Sequence, residues 1–363
     1  MEKINIAIAG VGNCASALLQ GIEMYKEMSD EPIGLMHYEL GGYKPGDINI
    51  VAAFDVDERK VGKKLKEALL SEPNCAQMFY DKLPDYPVEV KMGPVLDGVS
   101  EQMAEDDNEK MFVTADQEPC DVAQVLKESG AEMLISYLPV GSEQATRHYA
   151  QACLDANVGF INAMPIFIAS DETWANKFKE KNIPIIGDDV KSQVGATIVH
   201  RTLTKLFENR GVALDRTYQL NFGGNTDFLN MLNHKRLKTK KESKTQSVQA
   251  ELNTPLDQHN IHIGPSDYIP WLNDNKIAYI RMEGRGFGHV PLTLEVKLSV
   301  EDSPNSAGVI IDAVRCMKLA IDRKIGGLLT SISAYTMKSP PIQYTDTESK
   351  QMVEEFIEGR RER

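Results

Sequence analysis

Apolar, β-branched runs that break off in small or polar residues, separated by helix-like stretches, predict an α/β chain built on a doubly wound parallel sheet. Three observations carry this expectation. The runs Ile4 to Gly10, Ile48 to Asp55, Met133 to Pro139, Val158 to Met164 and Ile183 to Asp189 are short and almost continuously apolar, as strands covered on both faces must be. Between them, Gln144 to Ala156 and Asp171 to Lys181 have helical length and periodicity. After about Thr197 the character changes. A helical stretch, Ile198 to Arg210, leads to strand-like Thr217 to Asn225 and then to two long alternating runs, Lys276 to Glu283 and Pro291 to Val300.

Those two runs, linked by Gly284 to Gly288, suit antiparallel strands with one solvated face. A second, α+β unit is therefore expected, and an apolar face left exposed on it would point to self-association. Helical periodicity returns in Ala307 to Lys318, and Thr347 to Arg363 reads as a charged surface helix. A C-terminal helix that returns to the first unit makes the second an insertion. The expected division is 1–196, 197–301 and 302–363.

Composition narrows the functional classes. The chain has 363 residues, 42% hydrophobic and 26% charged, with a net charge of -13. That acidity opposes docking on nucleic acid or an anionic membrane. No apolar run approaches the ~20 residues of a spanning helix, and Met1 to Ile4 leads straight into a strand, so a cytoplasmic protein is expected. Five scattered cysteines without a CxxC pair fit a reducing compartment. None of the seven histidines forms HxxxH or HExxH, and no GxSxG element is present. Against this acidic background, Lys235 to Lys244 holds six Lys or Arg in ten residues. Such a local reversal of sign is a surface that expects an anion.

Ligands of doubly wound sheets bind beyond the carboxyl ends of the strands, so the polar residues there are the site candidates. Gly10-Val11-Gly12-Asn13-Cys14-Ala15 lies between the first strand and a helical run from Ala15 to Met28. It has the GxGxxA spacing of a Rossmann-type turn, in which glycine lets backbone approach a pyrophosphate at a helix N-terminus. Asp55, ending the second run, is the expected acceptor for a ribose hydroxyl, and its charge favours NAD over NADP. The long separation from the turn is taken up by Ser29 to Gly46, a Gly- and Pro-rich loop.

Ser136, Leu138 and Pro139 end the third run and either border the dinucleotide or lead into a helix capped at Gly141-Ser142. Asn162, within the fourth run, is counted with the cofactor candidates. Gly187-Asp188-Asp189-Val190-Lys191-Ser192 ends the fifth, with two carboxylates and a lysine where burial makes unpaired charge costly. Cofactor contact or acid–base work is one reading, and capping of a helix from Gln193 to Phe207 the other. Farther on, Asn221 to Asp227 closes a strand next to the basic run, and Lys240 and Lys244 share one face of any helix there. Asp302 to Ser306 opens a helix, and Lys338 precedes a proline pair.

In this order the pieces resemble the myo-inositol-1-phosphate synthase family in its shorter bacterial and archaeal form, over nearly the whole chain. The most specific parts are Gly187 to Ser192, Gly224 to Asp227, Lys240-x-x-x-Lys244 and Asp302 to Ser306. The resemblance implies conversion of D-glucose 6-phosphate to 1D-myo-inositol 3-phosphate, the first step of inositol and inositol phospholipid biosynthesis. It implies bound NAD, oxidation at carbon 5, enolisation, aldol closure onto carbon 1 and re-reduction. It also implies Lys240, Lys244, Lys276 and Lys338 with Asp189, Asp227 and Asp302 as the catalytic set. The inserted unit would be catalytic and tetramerising, and the protein a homotetramer. A divalent cation (Mg, Mn or Zn) is associated with such members, with no ligands identifiable in this sequence. The competing readings are an NAD-dependent dehydrogenase of another phosphorylated sugar, and a dinucleotide-binding regulator that docks nucleic acid through the basic run.

Overall fold

The computed structural model describes residues 3–28, 33–100, 111–232 and 245–363. Its larger sheet is all parallel and contains β1 (Ile4–Ala9), β2 (Ile48–Asp55), β3 (Val90–Met92), β4 (Met133–Ser136), β5 (Gly159–Asn162), β6 (Pro184–Ile186) and β11 (Gly327–Leu328). The order is β11-β6-β5-β4-β1-β2-β3. Alternation along β1 shows how both faces are filled. Ile4, Ile6 and Ile8 enter one core with helices α1 (Asn13–Glu27) and α8 (Asp302–Asp322). Ala7 and Ala9 enter a second core, with Leu126 of α3 (Val122–Ser129), Tyr149 of α4 (Glu143–Ala156) and Phe178 of α5 (Glu172–Glu180). The doubly wound expectation holds.

Two strands of this sheet, β3 and β11, escape the sequence reading because three and two residues carry no usable periodicity. The β11 edge is supplied by the C-terminal stretch, pairing Gly327 with Pro184 and Leu328 with Ile185. The chain leaves β1 toward β2 on one side, while β4 lies on the other. That reversal opens a crevice at the carboxyl ends of β1 and β4.

Helix α6 (Ala196–Asn209) precedes a four-stranded sheet of β7 (Ala213–Gly223), β8 (Ile261–Tyr268), β9 (Asn275–Arg285) and β10 (Pro291–Glu301), ordered β10-β9-β7-β8. β9 and β10 form the expected antiparallel pair. β7 and β8, however, run parallel, so the sheet is mixed. Residues 224–260 separate them, ample for the crossover that parallel pairing demands. Phe207 of α6 packs on Ile280 and Met282 of this sheet. The short α7 (Thr226–Asn230) follows β7, with Asn225 Oδ1 accepting from the N–H groups of Asp227 and Phe228.

Three local expectations change. Helix α6 starts at Ala196 behind Gly195, so Asp188 and Asp189 do not cap it. Ser142 occupies the position before α4, but its hydroxyl donates to Pro139 O instead of capping the helix. The last helix, α10 (Asp346–Ile357), is amphipathic: Met352, Val353 and Phe356 are buried, with Phe356 in the main core beside Ile332 of α9 (Thr330–Thr336). Its many charges hid this three-residue apolar stripe. Among the described residues, no helix is long and apolar enough to cross a membrane.

Candidate active site

One cavity spans the crevice and continues to the start of the second sheet's helices. Gly10, Gly12, Asn13, Cys14, Asp55, Leu138 and Pro139 line its first part, and Asp189, Asp227, Lys276, Asp302 and Lys338 its second. Sequence positions more than 300 residues apart thus face one volume.

The glycine turn has the form a dinucleotide needs. Gly10 has φ +94°, and a β-carbon there would lie 2.6 Å from Tyr137 O, so only glycine lets β1 and β4 close at this point. Gly12 faces open space, with nothing within 4 Å of such a carbon. Val11 does not line the cavity. Its N–H donates to Asp55 Oδ2 at 2.7 Å, while Asp55 Oδ1 accepts from Val56 and Asp57. Asp55 therefore clamps the turn, and with about four acceptor sites on a carboxylate it retains capacity toward a hydroxyl. Asn13 holds a neighbouring wall, its Oδ1 accepting from the N–H groups of Cys75 and Ala76. Cys14 lies by Ser303 and Ser306. Burial, with the charges of Asp274 and Asp302, pushes its thiol up to about 12, which keeps it neutral.

The second part is a charge cluster. Lys338 Nζ is 2.8 Å from Asp189 Oδ1, both nearly buried. Lys276 Nζ is 3.1 Å from Asp302 Oδ1. Burial opposes the Lys276 charge, but the carboxylates of Asp302, Asp227 and Asp189 outweigh it and hold its affinity for a proton above the ordinary lysine value. The Asp189 segment is laced to the Lys338 segment by backbone bonds: Lys338 N–H donates to Asp189 O, and Asp188 and Ser339 exchange N–H donors.

Adjacent residues of the GDDVKS motif divide sharply. Asp189 faces the cavity. Asp188 turns the other way and accepts from Asn162 Nδ2 at 2.7 Å and from the N–H groups of Ile168, Ala169 and Ser170, while burial pushes its carboxyl up to about 6. Lys191 is buried, donating to Ala334 O and pairing with Asp346 at 3.0 Å; burial pushes it down to about 8. Asn162 also donates to Ile166 O. Gly187 presses on Ala169 and Asn162, and Ala15 and Ser136 are fully or almost fully buried. These residues, placed by the sequence reading at the cofactor, stand behind the cavity wall and brace it. Lys240 and Lys244, with the rest of the basic run from Lys235, lie outside the described residues.

Sequence reasoning missed Lys60 and Asp274. Lys60 is fully buried, and its Nζ donates to Val11 O and Asn74 Oδ1, fastening the glycine turn from behind. No motif marks it; only the fold brings it under the turn.

Over residues 195–303 the sequence matches the family described as myo-inositol-1-phosphate synthase. It is 54% identical to the inositol-3-phosphate synthase of Mycolicibacterium smegmatis, with 98% of each chain covered. This chain belongs to the myo-inositol-1-phosphate synthase family. The inositol-3-phosphate synthase of Corynebacterium glutamicum is 52% identical, again over 98% of both chains. The crystal structure of a myo-inositol-1-phosphate synthase-related protein from Thermotoga maritima has the same fold, with a TM-score of 0.82, 24% identity and 99% of each chain covered. The resemblance drawn from motifs is thereby established as membership. In this synthase-family cavity, the two lysine–carboxylate pairs share one lining with the glycine turn.

Proposed function

We infer that this chain is an inositol-3-phosphate synthase, an isomerase-type enzyme that converts D-glucose 6-phosphate to 1D-myo-inositol 3-phosphate. The observation that carries this is the joining, in one cavity, of a dinucleotide turn with the pairs Lys338–Asp189 and Lys276–Asp302. A dehydrogenase needs the first; enolisation and aldol closure need the second as well.

The residues fit NAD: Gly12 leaves space at the start of α1, Asp55 reaches the cavity, and Lys60 and Asn74 secure the turn. When bound, NAD supplies reversible hydride acceptance at carbon 5 of the sugar. The protein's task is to manage charge around the bond changes. A ketone at carbon 5 acidifies carbon 6 only if positive charge meets its oxygen. Lys338, paired with Asp189 at 2.8 Å, is assigned to that oxygen. Lys276, kept protonated by three carboxylates, suits the aldehyde oxygen or the phosphate and is unsuited to act as a base. Asp227 and Asp302 orient it. Lys240 is assigned to the proton of the carbon 5 hydroxyl and Lys244 to the anionic groups, both on family correspondence.

Among the described residues no group of three or more His, Cys, Asp and Glu side chains is arranged to hold a metal ion, so no ligand and no step is assigned to a divalent cation. Self-association is supported by the apolar side chains exposed on the second sheet, Tyr279 and Leu292 with Phe287 and Val290 at the connecting turn, and a homotetramer is proposed on family correspondence. The division of the chain into a cofactor unit, an inserted unit and a returning C-terminal segment, and a cytoplasmic location, complete the reading.

The test is incubation with glucose 6-phosphate and catalytic NAD. Periodate-sensitive inositol phosphate should form without net NADH. Net NADH accumulation would instead mark a sugar-phosphate dehydrogenase.

A further inference from the structure

Asp274 lies beside the reacting cavity without lining it, and two segments that do line it converge on its carboxylate. Oδ1 accepts from Asn225 Nδ2 at 3.1 Å and from Ser303 Oγ at 2.9 Å, and Oδ2 accepts from the Ser303 N–H at 3.0 Å. The side chain is 1% exposed. Backbone contacts tighten the same junction: Asp302 N–H donates to Asp274 O, and Gly224 N–H to Asn273 O. A β-carbon on Gly224 would lie 2.4 Å from Ile269 O and 2.5 Å from Asn273 N, so the turn before α7 is pressed directly onto this segment.

A buried carboxylate held only by neutral donors is an expensive feature unless its placement serves something. Here it joins the start of α7, which carries Asp227, to the start of α8, which carries Asp302. Both carboxylates act on Lys276, two residues beyond Asp274. We propose that Asp274 is a positioning residue, whose carboxylate ties Asn225 to Ser303 and so sets the spacing of Asp227 and Asp302 around the Lys276 ammonium. The proposal rests on the synthase reading of that site. Burial, with the charge of Asp302 adding to it, pushes the Asp274 carboxyl up to about 6, and the donors from Asn225 and Ser303 are what favour its ionised form.

The hydrogen-bond polarity of the clamp can be exchanged. Asp274→Asn sets an amide nitrogen against a donor, and Asn225→Asp sets one carboxylate against another. Together they restore the pairing. The amide at 274 donates to the carboxylate at 225 and still accepts from the Ser303 N–H, while the Ser303 hydroxyl rotates to accept. Asp274→Asn, Asn225→Asp and the double variant are compared with the parent as full-length protein. Four quantities are read: kcat and KM for glucose 6-phosphate, NAD affinity, thermal midpoint, and amide hydrogen exchange in residues 225–228 and 302–306.

Each single variant should lose about tenfold or more in kcat, as expected for a charge-assisted hydrogen bond. For Asp274→Asn, KM and NAD affinity should stay within about threefold, because Asp274 itself does not line the cavity. Exchange should quicken at both helix starts, and the double variant should recover both kcat and protection. Should Asp274→Asn fail to fold, Ser303→Ala, which removes one donor, is expected to lower kcat with the thermal midpoint retained. Unchanged kcat and exchange in the single variants would overturn the proposal. So would a double variant slower than either single one, or kcat losses that merely track loss of folded protein and NAD binding. If the parent forms no inositol phosphate, the synthase reading fails, and the exchange data alone decide whether the clamp exists.

Discussion

Gly10 and Gly12 stand two residues apart in one turn, yet alanine at each should do different damage. At Gly12 a β-carbon meets nothing within 4 Å, and φ −95° with ψ −160° is extended backbone open to alanine. The change in folding stability should stay within about 1 kcal/mol. The added methyl does enter the cavity where backbone must approach the dinucleotide. Overpacking of that kind costs about 1–3 kcal/mol, equivalent to a rise of about 5- to 150-fold in the Kd for NAD. At Gly10 the same methyl lies 2.6 Å from Tyr137 O and 3.0 Å from Tyr137 C, with φ +94°. Backbone cannot swing aside as a side chain can, so β1 and the end of β4 must part, and the fold itself should lose about 1–3 kcal/mol. Calorimetric NAD titration and urea unfolding without cofactor separate the two quantities. Gly12→Ala binding NAD with parental affinity, or unfolding as easily as Gly10→Ala, would refute the reasoning.

Lys338→Ala should cut turnover by about 10²- to 10³-fold, the usual loss when one preorganised charge is removed from a developing oxyanion. NAD affinity should be retained, and inositol phosphate formation reports the loss directly. Arg201 is fully buried and pairs with Glu251 at 2.5 Å and Asp346 at 3.1 Å. Arg201→Met takes this partner from buried Glu251 and leaves Asp346 with Lys191, and should lower the unfolding free energy by about 3–5 kcal/mol in urea titration. His37 bonds Asp312 at 2.5 Å and Glu354 at 3.1 Å, and the bond to Asp312 is the chief reason its proton affinity is raised. A raised folded value stabilises fully below the ordinary histidine range and fades as pH climbs through the raised value. The parental thermal midpoint should therefore fall with pH above about 6.5, and His37→Gln should flatten that slope and cost about 1–3 kcal/mol at pH 6.

How far the chain was legible is clearest residue by residue. β2 runs from Ile48 to Asp55 as its apolar pattern implies, because a strand buried on both faces writes its length into hydrophobicity. The glycine turn was legible because only glycine tolerates the approach to Tyr137. Asp188 and Asp189 were not separable: neighbours in a strand-end loop point opposite ways, and nothing in the letters says which carboxylate faces the cavity. Lys191 and Asn162 looked like ligand residues because buried polar groups and binding groups share the same residue types. Asp274 carried no motif at all, since its role comes from two partners, Asn225 and Ser303, lying 49 and 29 residues away.

The sequence alone determined the α/β class, the dinucleotide turn and the family, all of which depend on local spacing and on the order of motifs. The tertiary structure decided which charges meet. Lys338 reaches Asp189 across 149 residues and Lys276 reaches Asp302 across 26. Those distances follow from strand order, from α8 running directly off β10 into the main core, and from the two loops laced beside β6. Electrostatic interaction falls with separation in space, and separation along the chain says little about it.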